Sequence, residues 1–208
     1  MEIVWLGHSC FRLKGRDTTV ITDPFDRSSG YSLGKVSADL VTVSHTAPDH
    51  SNVAAVDGNP QVVDGPGEYE VRGVLITGVA TRRDGEKGRN TAYLMEIDDL
   101  TVCHLGDLGH ILTPPQVEQM NSADILLIPV GGNNTINASQ AAEVISQIEP
   151  RIVIPMHFKT EATTLELDPI SKFQREMGLQ ELKPQPRLVV SKGSLPEETT
   201  VVLLDYKR

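Results

Sequence analysis

The chain's 208 residues suit one domain, 1–208, long enough to bury a substantial core. Hydrophobic residues make up 39% and charged residues 23%, the balance of a water-soluble globular protein. With 28 acidic residues against 19 basic the net charge is −9, which argues against nucleic acid or an anionic membrane as the main partner, since both reward basic surfaces.

In chain order, the first hundred residues read mostly as β. Ile3 to Leu6, Cys10 to Leu13, Thr19 to Thr22 and Leu40 to Val43 are short runs rich in Val, Ile, Leu and Thr, separated by Gly, Asp and Ser. Gln61 to Val63, Tyr69 to Val79 and Thr91 to Ile97 continue as a meander, and Asp98-Asp99 suits a tight turn into Leu100 to Leu105. The second half alternates helix and strand. Thr113 with Pro114 starts a helix, and Ile125 to Val130 is a buried strand. Asn137 and Gln140 have the spacing of a capping box. Ala141, Val144, Ile145 and Ile148 follow at helical spacing until Pro150 stops the pattern. Arg151 to Met156 is a further buried strand, and Asp168-Pro169 opens a helix ending near Gly178. Leu188 to Val190 and Thr199 to Leu204 are expected as two final strands paired with each other. Strands first and alternation later imply an α+β architecture of two sheets covered by helices.

The opening Met1 to Trp5 has neither a basic start nor a long apolar run, and Ile125 to Val130 is far too short to cross a bilayer. Cys10 and Cys103 lie far apart and form no CxxC motif, so both are expected as reduced, buried thiols in a cytoplasmic protein. The basic cluster Arg82, Arg83, Lys87 and Arg89 is interrupted by Asp84 and Glu86 and reads as a solvated loop.

Three apolar runs break off on residues that bind metals. Leu40 to Ser44 is followed by His45, with Asp49 and His50 close behind; Thr101 to Gly106 ends on Asp107; Arg151 to Met156 ends on His157. Strands of an open sheet carry their chemistry at their carboxyl ends, and imidazole with carboxylate suits Zn²⁺, Fe²⁺ or Mn²⁺. Each residue also has a plainer reading, as a hydrogen-bonded strand end or a loop cap. Gly131-Gly132-Asn133-Asn134 suits a plain turn better than an anion loop.

The segment Ser44-His45-Thr46-Ala47-Pro48-Asp49-His50 resembles the HxHxDH signature of the metallo-β-lactamase fold, with Ala47 where the second His belongs. Trp5-Leu6-Gly7-His8-Ser9, Thr22-Asp23-Pro24-Phe25, His104 to His110 and Ile154 to Lys159 resemble motifs of the branch that includes ascorbate-phosphate lactonases, in order from about residue 3 to about residue 160. The resemblance implies a four-layer αββα sandwich and a site for two adjacent metals. Matched position by position, the first metal keeps only His45, because Ala47 and Arg83 stand at its other imidazole positions. The second keeps Asp49, His50, Asp107 and His157. His8 and His110 match branch positions and read as structural.

These readings imply one divalent ion, Zn²⁺ first with Mn²⁺ or Fe²⁺ as alternatives, activating water to cleave a small ester, lactone or phosphoester. Asp49 and Asp107 are the catalytic candidates; His45, Asp49, His50, Asp107 and His157 are the candidate ligands. The expected partner is a small-molecule substrate, phosphorylated compounds included, and a homo-oligomer is compatible with the sequence. Two rivals stand beside this: a catalytically inactive relative that keeps the scaffold as a binding or regulatory module, and iron-dependent oxidation; for the site itself the alternative is a metal-free network in which Arg83 bridges Asp49 and Asp107.

Overall fold

The computed structural model describes residues 1–83 and 88–207; Asp84, Glu86 and Lys87 of the basic cluster lie outside them. Among the described residues fifteen strands run in chain order: β1 (Glu2–Gly7), β2 (Cys10–Lys14), β3 (Thr19–Thr22), β4 (Val36–Ser37), β5 (Leu40–Thr42), β6 (Val56–Asp57), β7 (Gln61–Val63) and β8 (Gly67–Val71). Then follow β9 (Val74–Arg82), β10 (Arg89–Ile97), β11 (Leu100–His104), β12 (Ile125–Pro129), β13 (Ile152–Met156), β14 (Leu188–Val189) and β15 (Thr200–Val201). The helices are α1 (Pro114–Met120), α2 (Ala138–Ile148) and α3 (Ile170–Glu176).

Two large sheets result. The first has the order β14-β1-β2-β3-β5-β7, the second β15-β13-β12-β11-β10-β9-β8, and β4 pairs with β6 as a small ribbon. Alternation in the first sheet explains why two-sided burial is needed. Ile3, Trp5, Phe11, Leu13, Val20 and Leu40 face the core shared with the second sheet. Their neighbours Val4, Leu6, Cys10, Ile21 and Val41 face the other way, into a smaller cluster with Phe25, Tyr31, Val36 and Val56. Among the described residues that outer layer is made of short 3₁₀ turns (Arg27–Ser29, Val53–Ala55) and the β4–β6 ribbon rather than α-helices. The α+β sandwich expected from the sequence is what the chain forms.

In the second sheet β11, β12 and β13 run parallel, and β12 and β13 are buried at every position, as strands covered on both faces must be. The Asn137–Gln140 capping box opens α2, which turns Ala141, Val144, Ile145 and Ile148 inward. Tyr69 to Val79 divides into β8 and β9 at the turn Arg72-Gly73, where both residues have positive φ. The two final strands do not pair with each other. Leu188 and Val189 join β1 in the first sheet, whereas Thr200 and Val201 lie parallel to β13 in the second. The segment between them therefore passes from one sheet to the other. Cys10 and Cys103 are buried and unbridged. Among the described residues no helix is long and apolar enough to cross a membrane.

Candidate metal centre

Strands of both sheets deliver side chains to one edge. His8 follows β1, Asp23 follows β3, His45 lies just beyond β5, Asp107 beyond β11, and His157 directly after β13. His8, Asp23 and His157 take left-handed backbone conformations, with φ of 53°, 39° and 51°, uncommon for residues with a Cβ and concentrated at functional sites. Asp49 and His50 come from the loop after β5. Backbone bonds from Asp26 to Pro48 O and from Asn52 to Pro24 O tie that loop to the segment after β3.

Asp107 is the hub. Its Oδ1 lies 3.0 Å from His50 Nε2 and 3.7 Å from His157 Nε2; its Oδ2 lies 3.6 Å from His45 Nε2 and 3.4 Å from Arg83 Nη2. Asp49 Oδ1 is 3.1 Å from His50 Nδ1, and Asp49 Oδ2 is 3.4 Å from His8 Nε2. Close as they are, these atoms are poorly aimed at one another. Both ring nitrogens of His50, Nε2 of His45, Nδ1 of His157 and Oδ1 of Asp107 are buried without a well-formed hydrogen bond. Buried polar atoms normally find partners; an unpaired cluster of acceptors suits a cation among them. Candidate ligand atoms of His8, Asp49 and His50, and those of His45, His50 and Asp107, lie within 4.8 Å of one another. His157 belongs to neither group and reaches the cluster through Asp107. Imidazole nitrogen and carboxylate oxygen are suitable donors for Zn²⁺, Mn²⁺ or Fe²⁺, so the residues present fit a divalent ion.

Electrostatics agrees. Burial pushes His45 down to about 4, helped by the charge of His50, and burial pushes His157 down to about 3. Both are therefore neutral near pH 7, the form that ligates metal. Burial would also depress His50, but Asp107, Asp49 and Asp23 outweigh it and raise the group to about 10. Burial works to raise Asp107, yet His50, His157 and His45 hold it well below the usual carboxylate range. A divalent ion would take the place of the His50 proton as the charge that balances these acids.

The supporting residues are locked in turn. Ser44 donates to Asp23 through both N–H (2.7 Å) and Oγ (2.6 Å), and the same Oγ lies 3.0 Å from His45 Nδ1. Asn90 Oδ1 accepts the Asp107 N–H at 2.9 Å, while Asn90 Nδ2 donates to Thr81 Oγ1 and Leu105 O. Trp5 Nε1 donates to His8 O at 2.9 Å, and the His157 N–H reaches the same carbonyl at 3.3 Å. A Cβ on Gly131 would come within 2.1 Å of His157 O, so the Gly131–Asn134 turn leaves room for the histidine's backbone.

The structure thus brings together all five ligand candidates of the sequence, His45, Asp49, His50, Asp107 and His157. It adds His8, whose ring stands 4.6 Å from those of both His50 and His157 with neither nitrogen hydrogen-bonded. Asp23 and Asn90 are further additions, as positioning residues. His8 carried a signal, since β1 also breaks off on an imidazole; Asn90 carried none. His110 is structural as expected, with Nε2 accepting the Arg82 N–H and Nδ1 beside Ile111 O. Arg83 pairs with Asp107, and among the described residues it forms no ion pair with Asp49, so the bridge between the two acids drawn in the metal-free alternative does not form. Beside His45, Ala47 and Arg83 opens a cavity of about 890 Å³.

Comparison with known proteins bears on this edge. The β-lactamase superfamily domain matches residues 2–157. The UPF0173 protein PF0020 of Pyrococcus furiosus is 30% identical over 199 residues, covering 85% of this chain and 90% of the relative. The UPF0173 metal-dependent hydrolase MK1542 of Methanopyrus kandleri is 29% identical over 212 residues, covering 85% and 91%. A crystal structure from Thermotoga maritima, provisionally named a Zn-dependent hydrolase of the metallo-β-lactamase superfamily, superposes with a TM-score of 0.83 at 38% identity and 99% coverage of both chains. With its two-sheet sandwich and its cluster of imidazoles and carboxylates at the strand ends, the chain belongs to the β-lactamase superfamily domain family and has the metallo-β-lactamase fold.

Proposed function

We propose that the protein is a hydrolase of a small ester, lactone or phosphoester, working with one divalent ion, Zn²⁺ by preference, held by Asp49, His50, Asp107 and His157. The observation that carries this reading is the set of buried imidazole and carboxylate atoms that converge without well-formed hydrogen bonds. An ion so held supplies Lewis acidity and makes water more acidic. Asp107, with only 2% of its side chain exposed, orients the cluster and stays ionised. Asp49 has 23% of its side chain open to solvent and stands at the rim; burial works to raise it, but His50 and His8 hold it well below the usual carboxylate range, so its role is to steer attacking water by accepting a hydrogen bond. His50 and His8 hold its carboxylate in place.

The reading of a single ion rests on the other side of Asp107. There His45 has Ala47 rather than a second imidazole in its loop, and the Arg83 guanidinium lies 3.4 Å from Asp107 Oδ2. A permanent cation beside that oxygen disfavours a second metal. The same contact favours the rival reading, a metal-free binding scaffold balanced by Arg83 alone.

Metal analysis after loading and gel filtration, followed by a panel of esters, lactones and phosphoesters, tests the proposal. The expected result is one equivalent per chain and turnover that Asp107→Ala abolishes together with metal binding. A protein that takes up no metal, and whose thermal midpoint added Zn²⁺ or Mn²⁺ leaves unchanged, refutes it.

A further inference from the structure

Arg83 is underused by the metal centre. Its one charged neighbour among the described residues is Asp107, through Nη2, and its Nε is buried without a hydrogen bond. A guanidinium carries five donors in a fixed plane, and 26% of this side chain's surface remains open. It opens onto the cavity of about 890 Å³, together with Arg89, Asn90 and Thr91. Asp64 is the only carboxylate among the described residues lining that space. Among the described lining residues two guanidinium groups face one acid, in a chain of net charge −9.

The backbone is shaped to seat Arg83. Its N–H donates to Gly88 O at 2.9 Å, closing the connection between β9 and β10. A Cβ on Gly88 would fall 2.7 Å from Arg83 Cβ and 3.3 Å from Cγ and Cδ. Bare backbone at Gly88 therefore lets the aliphatic stem lie flat while the head reaches the cavity floor beside Asp107.

We propose that this cavity is an anion pocket in which Arg83, with Arg89 nearby, receives the carboxylate or phosphate of a small acidic molecule. Planar, bidentate pairing is what a guanidinium does best with such groups. As a statement about substrate it rests on the hydrolase reading; as a statement about binding it does not. An acid held there lies next to His45 and within one residue's reach of Asp107, so the rest of the molecule is directed at the metal centre.

Calorimetric titration with succinate and with inorganic phosphate, on metal-free and Zn²⁺-loaded protein, tests it. Wild type should bind at least one of them in both states, and which one separates carboxylate from phosphate. Arg83→Gln should weaken binding at least tenfold in the metal-free protein, where no ion can stand in for the lost guanidinium, and Gly88→Ala, which crowds the Arg83 stem, should act in the same direction. No binding to wild type overturns the pocket. So does binding that requires Zn²⁺ and ignores Arg83→Gln, since that places the anion on the ion. A second arm compares 4-nitrophenyl acetate with mono-4-nitrophenyl succinate on loaded protein. Preference for the succinate, lost through KM in Arg83→Gln, supports the substrate role, and equal turnover of the two overturns it. Anion binding without turnover of any ester refutes the hydrolase reading and leaves the pocket standing.

Discussion

Gly106→Ala probes whether the cradle around Asp107 is as tight as its contacts imply. Gly106 has φ +56°, and a Cβ there would meet Asn90 Oδ1 at 2.5 Å, Ser44 Cβ at 2.5 Å and Ser44 Oγ at 2.8 Å. Neither neighbour is free to swing away. Asn90 is tied to Thr81, Leu105 and Asp107, and Ser44 is tied twice to Asp23. Left-handed backbone costs a residue with a Cβ about 1 kcal/mol or somewhat more, and forced overpacking adds about 1–3 kcal/mol. The variant should therefore lose about 2–4 kcal/mol, or about 4–16 °C in thermal midpoint for a domain of this size. Gly73→Ala is the matched control: its φ is +78°, with nothing within 4 Å of the added atom, so it carries the backbone cost alone. Urea unfolding of metal-free protein compares the two. If their stabilities agree within about 0.5 kcal/mol, the scale on which surface changes are neutral, the contact argument is refuted. Because Asn90 would be pushed off the Asp107 N–H, Zn²⁺ affinity should fall in Gly106→Ala and stay unchanged in Gly73→Ala.

Further expectations concern the imidazoles. His8→Gln removes the ring that holds Asp49, and should weaken Zn²⁺ binding by about tenfold or more, the usual cost of losing a group that orients a ligand, with the fold intact by circular dichroism; competition against a chromophoric chelator reads this, and unchanged affinity would return His8 to a structural role. His50 sets a pH dependence in the metal-free protein. Its folded-state pKa is raised to about 10 from an ordinary 6.5, so its contribution is complete below pH 6.5 and declines as pH rises toward 10. That slope is on the order of 1 kcal/mol per pH unit. Urea midpoints at pH 6.5 and pH 9 should differ in metal-free protein and much less in loaded protein, where an ion replaces the proton; a flat metal-free profile contradicts this. By the same logic Zn²⁺ loading at pH 7.5 should release about one proton from His50, seen by calorimetry in buffers of different ionisation enthalpy, and a zero proton count would show that His50 is already neutral.

Much of the fold is legible in the residues because it is local. A short, continuous apolar run such as Ile125 to Val130 suits a strand covered on both faces, and Asn137 with Gln140 marks a helix start through its own hydrogen bonds. Leu188–Val189 and Thr200–Val201 show where that stops: each strand pairs over two residues, too few to encode a partner, and the path of the intervening chain decides the sheet. The site follows the same division. His45, Asp107 and His157 were readable as strand ends, and β1 ending before His8 obeys the rule equally. What the sequence does not display is that His8 meets Asp49, 41 positions along the chain. Nor does it show that Asn90 clasps the Asp107 backbone or that Arg83 turns to Asp107 and leaves Asp49 alone. Those are long-range contacts made by the folding of one sheet edge onto the other.

The central claim is that one divalent ion sits among Asp49, His50, Asp107 and His157. Elemental analysis of Zn²⁺-loaded, gel-filtered protein measures it directly. One equivalent per chain in wild type and none in Asp107→Ala is the expected result; two equivalents in wild type, or none, would contradict it.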